Sequence, residues 1–551
     1  MNSRKLNNLI LFTLLLFIIL FSSCKRETVK ENILYEAILS EPRSLDPGDP
    51  VDSETYGIMY CIYNTMVEMD DSLKIQPALA YKWETNDFKT WKFYIRNDIY
   101  FHPSPCFKNP EKTRKLTAYD IEYSLNRALQ PGGVGAFMLT DIVLGALDVN
   151  SGKTQKASGI TALDSFTIQI KLVKPYLKLP ERLATPFFFI VPKEAVEFYG
   201  DKFAQNPVGT GAFMLEKIDP GNAVFLKKNP LFWKKSPDGK QLPHLDGVVF
   251  KILRNPQLAL NEFLNGKLDA VELQPALASI VLNHRGELKD EYRKKFKLVE
   301  NVALDAHYFS FRMDQPPFKN NKYLRQALNY AINKEIICEK LLNNLATPSI
   351  GILPPGVLSD IKRNPVYPYD KQKAIALLEK AGYPGGKNLP ELELYIDNKP
   401  TTETVAQFVQ SSLKEIGVSV KLRKMEFGSL LGEVIQGNPK FYYMFWEGTD
   451  PNPEIFMVQF KSNLLPELGG YNFSRFSNKE ADRLFDLAVS QLDEHRSAQT
   501  WLELDSLITE EAPCIFLYHT IRIRLLQKNI SNYDNNPMQI RRYYTTSKKV
   551  K

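Results

Sequence analysis

The sequence predicts an α/β protein in two halves, and three stretches predict it. Leu392, Leu394 and Ile396 alternate with polar residues, Val418, Val420 and Leu422 do the same, and a helical pattern lies between them. That order argues for a largely parallel sheet covered by helices. Trp91, Phe93 and Ile95 alternate with Lys92, Tyr94 and Arg96, as in a strand with one buried face and one wet face. Between these, Asp305 to Leu342 passes from a strand at Tyr308 to Arg312, through a turn at Gln315, Pro316 and Pro317, into two helices. It reads as the crossing point between the halves.

From the beginning of the chain, Arg4 and Lys5 precede Leu9 to Phe21, in which only Thr13 is not apolar, and Ser22, Ser23 and Cys24 follow. This run is shorter than the about 20 apolar residues of a membrane span, so 1–23 is expected to be a signal peptide. The junction resembles the lipobox of bacterial lipoproteins, with Phe21 in place of the usual Leu, and implies lipidation of Cys24. Residues 24–33 would be a tether. With the leader removed, the net charge is near +5 over 528 residues, and the charges are interspersed. Nothing in that balance implies nucleic acid or an acidic partner. At 44% hydrophobic and 12% aromatic, the chain can bury large cores. Cys61, Cys106, Cys338 and Cys514 show no metal-ligand or CxxC spacing. Their pairing is left open, with buried free thiols favoured.

Leu34 to Leu39 reads as a strand that leads into Glu41-Pro42-Arg43-Ser44-Leu45-Asp46-Pro47, with Leu45 inward and Asp46 placed to cap nearby amides. Thr117-Ala118-Tyr119-Asp120 opens a helix with a capping box in which Asp replaces Glu, and Ile121, Leu125, Ala128 and Leu129 form its stripe. Phe166, Ile168 and Ile170 give another half-buried strand. In Asn206-Pro207-Val208-Gly209-Thr210-Gly211-Ala212-Phe213 the GK[ST] ending of a phosphate-binding loop is missing, so the glycines are expected to serve a tight turn. A helix should end at Gly266 before a strand at Leu268 to Ala270. Asn321 should cap the helix carrying Leu324, Leu328, Ala331 and Ile332, and Asn333 one carrying Ile336, Ile337 and Leu341. Asp370 should cap a helix stopped by Gly382.

These motifs together resemble the solute-binding proteins of ATP-binding-cassette importers, in the family that takes up peptides, nickel and some oligosaccharides. The resemblance is carried by EPRSLDP at 41–47, PALAYKW at 77–83, TAYD at 117–120, NPVGTGAF at 206–213, PPFKNNKYLRQALNYAINKEII at 316–337 and APCIFLY at 512–518. It spans residue 41 to about 520. It implies a periplasmic-binding-protein type II-like two-lobed clamp, with mixed sheets covered by helices and an extra subdomain on the first lobe. The expected limits are 34–304 for the first lobe, including a subdomain at about 65–185, then 305–511 for the second lobe, and 512–551 returning to the first.

An enzyme is not expected. His102, His244, His284, His307, His495 and His519 form no HExxH or other metal-ligand pair, and no GxSxG elbow occurs. The resemblance implies instead a monomeric, lipid-anchored receptor in the cell envelope, without cofactor, that closes on a short peptide and hands it to a membrane permease. A nickel chelate, an oligosaccharide or a non-transport signalling role are the alternatives. The ligand loop should be Trp446-Glu447-Gly448-Thr449-Asp450-Pro451-Asn452-Pro453, an apolar strand that breaks into turn formers with two carboxylates. In peptide-binding members the aspartate that holds the α-amino group lies three positions after the tryptophan. That position is Thr449 here, so either Asp450 or Glu447 meets the amine or a free amino terminus is not bound in the family's way. Trp446 completes the second-lobe set, with Ser53 and Phe137 named on the first lobe.

Overall fold

Ile33–Ile38 buries Leu34, Glu36 and Ile38 in alternation, so one face of this first strand looks into a core from the start. It belongs to a sheet shared by both lobes in the computed structural model, which describes residues 32–358 and 366–549; the leader and Cys24 lie outside the described residues. From edge to edge the sheet runs Val420–Met425, Leu392–Asp397, Phe441–Glu447, Asp305–Phe311, Cys514–Gln527, Ala270–Glu272, Ile33–Ile38, Gly247–Ile252, Ala223–Lys228 and Phe213–Asp219. Phe296–Val302 and Ala346–Pro348 also pair with Cys514–Gln527.

The expected parallel unit is present. Leu392–Asp397 pairs in parallel with Val420–Met425 and with Phe441–Glu447, and the helix Pro400–Lys414 covers the crossover. In the first lobe, Ile33–Ile38 is parallel to both of its neighbours. The other described pairings of the main sheet are antiparallel, so the sheet is mixed, as the resemblance implied, and not largely parallel as the local strand-helix-strand order alone argued. Much of the difference comes from Cys514–Gln527, which returns against every strand it meets.

That strand and the crossing stretch join the lobes. Phe296–Val302 and Asp305–Phe311 are consecutive; the first pairs with Ile521–Gln527 and the second with Cys514–Tyr518. Leu304, Tyr308, Cys514 and Phe516 face one second-lobe core, while Phe309, Phe311, Ile515 and Leu517 face another on the opposite side of the sheet. The first lobe has its own two cores, the larger around Phe93, Phe213 and Phe250 and the smaller around Phe263 and Leu525. Each fully buried aromatic of this kind contributes roughly 1.5–3 kcal/mol. A separate antiparallel sheet, ordered Ala80–Thr85, Thr90–Ile95, Thr167–Lys171 and Ile160–Asp164, carries the helix Ala118–Ala128 and forms the added subdomain.

The local signals translate closely. Asn321 accepts from the Leu324 amide at 3.2 Å, Asp370 from Lys373 at 2.9 Å, and the Asp120 carboxylate from the Thr117 amide at 2.8 Å. Gly266 and Gly382 both stand at positive φ, where a helix stops. Leu45 is buried, Asp46 accepts from Gly48 at 2.7 Å, and the same carboxylate takes both ends of Arg127 at 2.7 Å. Cys61, Cys106, Cys338 and Cys514 are buried free thiols.

Two local expectations change. Ile336 is 39% exposed, because the helix after Asn333 lasts only Lys334–Ile336 before widening into a π turn over Ile337–Leu341. The wider turn moves the buried face to Ile337 and Cys338. Gly209 and Gly211 do not make a tight turn. A Cβ would lie 2.1 Å from the Ile62 carbonyl oxygen at Gly209 and 2.4 Å from that of Cys61 at Gly211, so bare backbone is needed where this segment docks on the end of the helix Ser53–Ile62. In return the Gly211 amide satisfies the Ile62 carbonyl at 2.8 Å.

Candidate functional site at the lobe junction

The loop after Phe441–Glu447 is shaped by its own turn chemistry. The strand ends where the Gly448 amide reaches the Leu304 carbonyl at 2.6 Å. Asp450 accepts from the Asn452 amide at 2.8 Å, an Asx turn, and Asn452 in turn caps the helix Pro453–Met457 by accepting from Glu454. Trp446, half-buried, donates from Nε1 to the Ile455 carbonyl at 2.7 Å and meets the edge of Tyr471. The tryptophan therefore pins both ends of the loop.

The two carboxylates near Thr449 are in unlike places. Asp450 is 1% exposed and its Oδ2 has no hydrogen-bond partner among the described residues. Burial pushes its carboxyl up to about 6, against the pull of Arg182 and the Asn452 amide, while Glu454 and Glu181 push the same way as burial. The Thr449 hydroxyl is also buried without a partner among the described residues. Glu447 points outward and is ion-paired with Arg522 at 2.9 Å, the two side chains being 41% and 17% exposed. Arg522 lies on Cys514–Gln527, one strand turn beyond the point where that strand leaves the second lobe. Asp305 and His307 adjoin on the next strand, with His307 held between Tyr443 at 2.8 Å and Thr520 at 3.1 Å.

On the first lobe, Ser53 is the exposed first residue of a helix capped by Asp52. Phe137 is 42% exposed and stands edge-on to Phe187, which Tyr56 also meets edge-on. Phe137, Phe187, Tyr56, Pro50 and Val51 line an open hollow of about 640 Å³. Ser53 is two positions beyond Val51.

What spans the lobes was not singled out in the sequence. Tyr176 donates to Glu454 at 2.7 Å and accepts from Asn452 at 3.1 Å. Arg182 lies 2.8 Å from Glu454 and also holds the Met138 carbonyl, next to Phe137, at 3.0 Å. Lys178 reaches Glu494 at 2.7 Å. Beside these contacts a cavity of about 520 Å³ is lined by both lobes, with Leu73, Lys178, Glu454, Val489, Glu494 and Trp501 in its wall. The segment Lys174 to Arg182, with two prolines and no clean period, offered no signal for this role. Arg522 did offer one, since Arg522 and Arg524 alternate with Ile521 and Ile523 in a strand expected between the lobes.

Comparison with known proteins bears on the family and the fold. Residues 74–464 match the family described as bacterial extracellular solute-binding proteins, family 5, middle. The chain is 24% identical over 489 residues to the dipeptide-binding protein of Escherichia coli (strain K12), covering 87% of each. It is 26% identical over 505 residues to heme-binding protein A of Haemophilus influenzae, covering 88% of this chain and 86% of that one. Its fold is similar to the periplasmic murein tripeptide-binding protein MppA in an unliganded open form, with a TM-score of 0.77, 24% identity, and 94% and 98% of the chains covered.

Proposed function

The chain belongs to family 5 of the bacterial extracellular solute-binding proteins, the binding components of ATP-binding-cassette importers, and from this we propose that its lobes close on a short peptide. The observation that carries the reading is the Glu447–Arg522 pair at the lobe junction. A peptide presents an ammonium and a carboxylate. Glu447 is a half-exposed acceptor for the first, and Arg522, whose planar guanidinium has five N–H donors, is available to the second. Asp450 is turned inward and already used by its own loop, which supports Glu447 as the amine partner. The hinge is placed at Val302 to Asp305 and at Tyr518 to Ile521, supported by the change of pairing partner there. Closure is favoured because the ligand gains contacts to both lobes only in the closed form.

A charge-assisted hydrogen bond contributes roughly 1.5–3 kcal/mol, and each 1.4 kcal/mol is about a factor of ten. Calorimetry with a mixed tripeptide library should therefore show Glu447→Gln weakening free peptides about tenfold or more. N-acetylated peptides should lose as much against the wild type and no more against the variant. Equal affinity of the wild type for free and acetylated peptides would remove Glu447 from this role. If the wild type binds no peptide, the peptide reading fails, and nickel chelates and oligosaccharides are the next solutes to titrate.

We further propose that the mature chain starts at Cys24 and is held to the membrane through acyl chains on that residue, as the Ser22-Ser23-Cys24 junction suggests. Multiple chains make such attachment stable. Cells given a palmitate analogue should label the wild type and not Cys24→Ser; equal label in both would refute the anchor. A membrane permease would then receive the solute.

A further inference from the structure

Along the chain the lysines are interspersed with acids, but strand register gathers some of them at one end of the first lobe. Ile33 opens its strand opposite Gly247, and Gly247 stands opposite Lys227 at the close of Ala223–Lys228. On the other flank Phe296 pairs with Gln527, whose amide reaches the Asp269 carbonyl at 2.9 Å, while the Asp269 amide reaches the Tyr35 carbonyl at 2.7 Å. Lys294 and Lys295 thus enter the sheet, and Lys528 leaves it, at the end where Ile33 begins. Lys549 joins them through its amide, 3.0 Å from the Asn529 carbonyl, and Lys235 through the loop between Lys228 and Gly247, where it pairs with Gln241. These six lysines are exposed. They cross the strands from Phe296–Val302 to Ala223–Lys228, roughly 25 Å at about 4.8 Å per strand. Carboxylates nearby are mostly held by other groups: Asp238 by Lys240 at 2.8 Å, Glu262 by Lys267 at 2.7 Å, Asp269 by Lys548 at 2.8 Å, Asp290 by Arg293 at 3.4 Å, and Asp246 by the Asn32 amide at 2.9 Å. Glu291, exposed in the helix Asp290–Arg293 beside Lys294, offsets part of the row.

We propose that this end of the first lobe docks on an anionic membrane surface, with phospholipid headgroups taking the lysine ammoniums. The lysines are spread along a strip and do not converge on one point, which suits a sheet of headgroups better than a single small anion. Asn32 enters the fold at the same end, eight positions after Cys24, and a chain of that length spans at most about 30 Å. The proposed anchor would therefore keep this end of the molecule close to the lipid, and the inference rests on the anchor for that step alone. Each lysine near such a surface strengthens attachment about fivefold, an attraction that fades within about 8–10 Å at physiological salt. Gln527 lies six positions beyond Ile521, about 20 Å along the strand, so the row stands away from the lobe junction. Docked in this way, the receptor holds that junction clear of the lipid, where solute can enter, and delivery needs only the release of a screened ionic contact.

The test uses the purified chain from Lys25 on, with vesicles of phosphatidylcholine alone or mixed with phosphatidylglycerol, and reads binding by co-sedimentation. The wild type should bind the mixed vesicles at low salt, leave them at high salt and ignore the neutral ones. Lys227→Gln, Lys235→Gln, Lys294→Gln and Lys528→Gln combined should weaken that binding by at least about tenfold, with the far-ultraviolet circular dichroism unchanged. Four exposed lysines of the second lobe, Lys387, Lys414, Lys421 and Lys440, changed to Gln together, lower the net charge equally and should weaken it less than about threefold. Equal loss in the two sets, or a wild type that stays off the mixed vesicles, would overturn the proposal. So would binding to soluble polyglutamate without binding to the mixed vesicles, which would assign the row to an acidic protein instead. Neither a solute nor an acylated cysteine enters the measurement, so its failure is distinct from failure of the peptide or the anchor reading.

Discussion

Glu36→Ala is expected to destabilise the first lobe by about 3–5 kcal/mol, the cost of removing one partner from a buried ionic cluster. Glu36 is 1% exposed and receives the Tyr533 and Tyr543 hydroxyls on Oε2, with Arg541 at 3.3 Å and Arg524 at 3.8 Å from Oε1. Both arginine side chains are 4% exposed, and of the described carboxylates only Glu272, at 2.9 Å from Arg524 and 3.7 Å from Arg541, would remain paired with them. Against a total of about 5–15 kcal/mol for a typical domain, that loss is a large fraction. The segment carrying Tyr533, Arg541 and Tyr543 should come loose with it. Urea unfolding followed by circular dichroism, with hydrogen exchange over 530–546, measures both effects. A shift below about 1 kcal/mol, with exchange unchanged, would show that the cluster is not what holds this segment.

Gly211→Val should be more severe still, giving little or no soluble protein. The new Cβ would lie 2.4 Å from the Cys61 carbonyl oxygen and 2.5 Å from the Ile62 carbonyl carbon, which are backbone atoms at a helix end and cannot swing aside. Separating the two segments would also break three hydrogen bonds at this position: the Gly211 amide to Ile62 at 2.8 Å, and the Gly211 carbonyl to His102 at 3.0 Å and to Asn229 at 2.8 Å. His102 is fully enclosed, and burial lowers its imidazole to about 4, so it sits there neutral as a fixed polar pin. Overpacking alone costs about 1–3 kcal/mol, and orphaned buried groups about 1–3 kcal/mol each. A soluble Gly211→Val protein melting with the wild type would show that the close approach is dispensable.

The features legible in the sequence are those whose cause lies within a few residues. Asn321, Asp370 and Thr117 announce helices because a cap needs only a side-chain oxygen and the amides beside it. The Leu392 to Leu422 unit is legible because alternation and helix length are local too. Local patterns alone read the main sheet as largely parallel, and its mixed character, which the resemblance implied, is explained only once Cys514–Gln527 is placed, since no short pattern reveals which strands a late segment will join. The site divides along the same line. The Trp446 to Pro453 loop stands out by its composition, and its turn chemistry follows from Asp450 and Asn452 alone. That Asp450 faces inward while Glu447 faces outward depends on Arg182 and Arg522, which come from distant parts of the chain. Tyr176 and Glu454 are 278 positions apart, and Glu36 and Tyr543 507. Hydrogen bonds and ion pairs at that range leave no periodic trace, so the contacts of Glu454 and of Glu36 could not be read from the sequence.

Among the described residues the strand Cys514–Gln527 pairs with four others, Ala270–Glu272, Phe296–Val302, Asp305–Phe311 and Ala346–Pro348, and all four precede it in the chain. During biosynthesis, therefore, each half of the main sheet waits with an open seam where this strand will insert. Pairings of such long sequence separation form slowly, and unpaired strand edges are templates for wrong partners. Such a chain is expected to fold slowly, and neither lobe closes its part of the sheet before this strand has been made. A premature stop anywhere before Cys514 therefore leaves both lobes without the strand that joins their sheets, rather than one lobe finished and one missing.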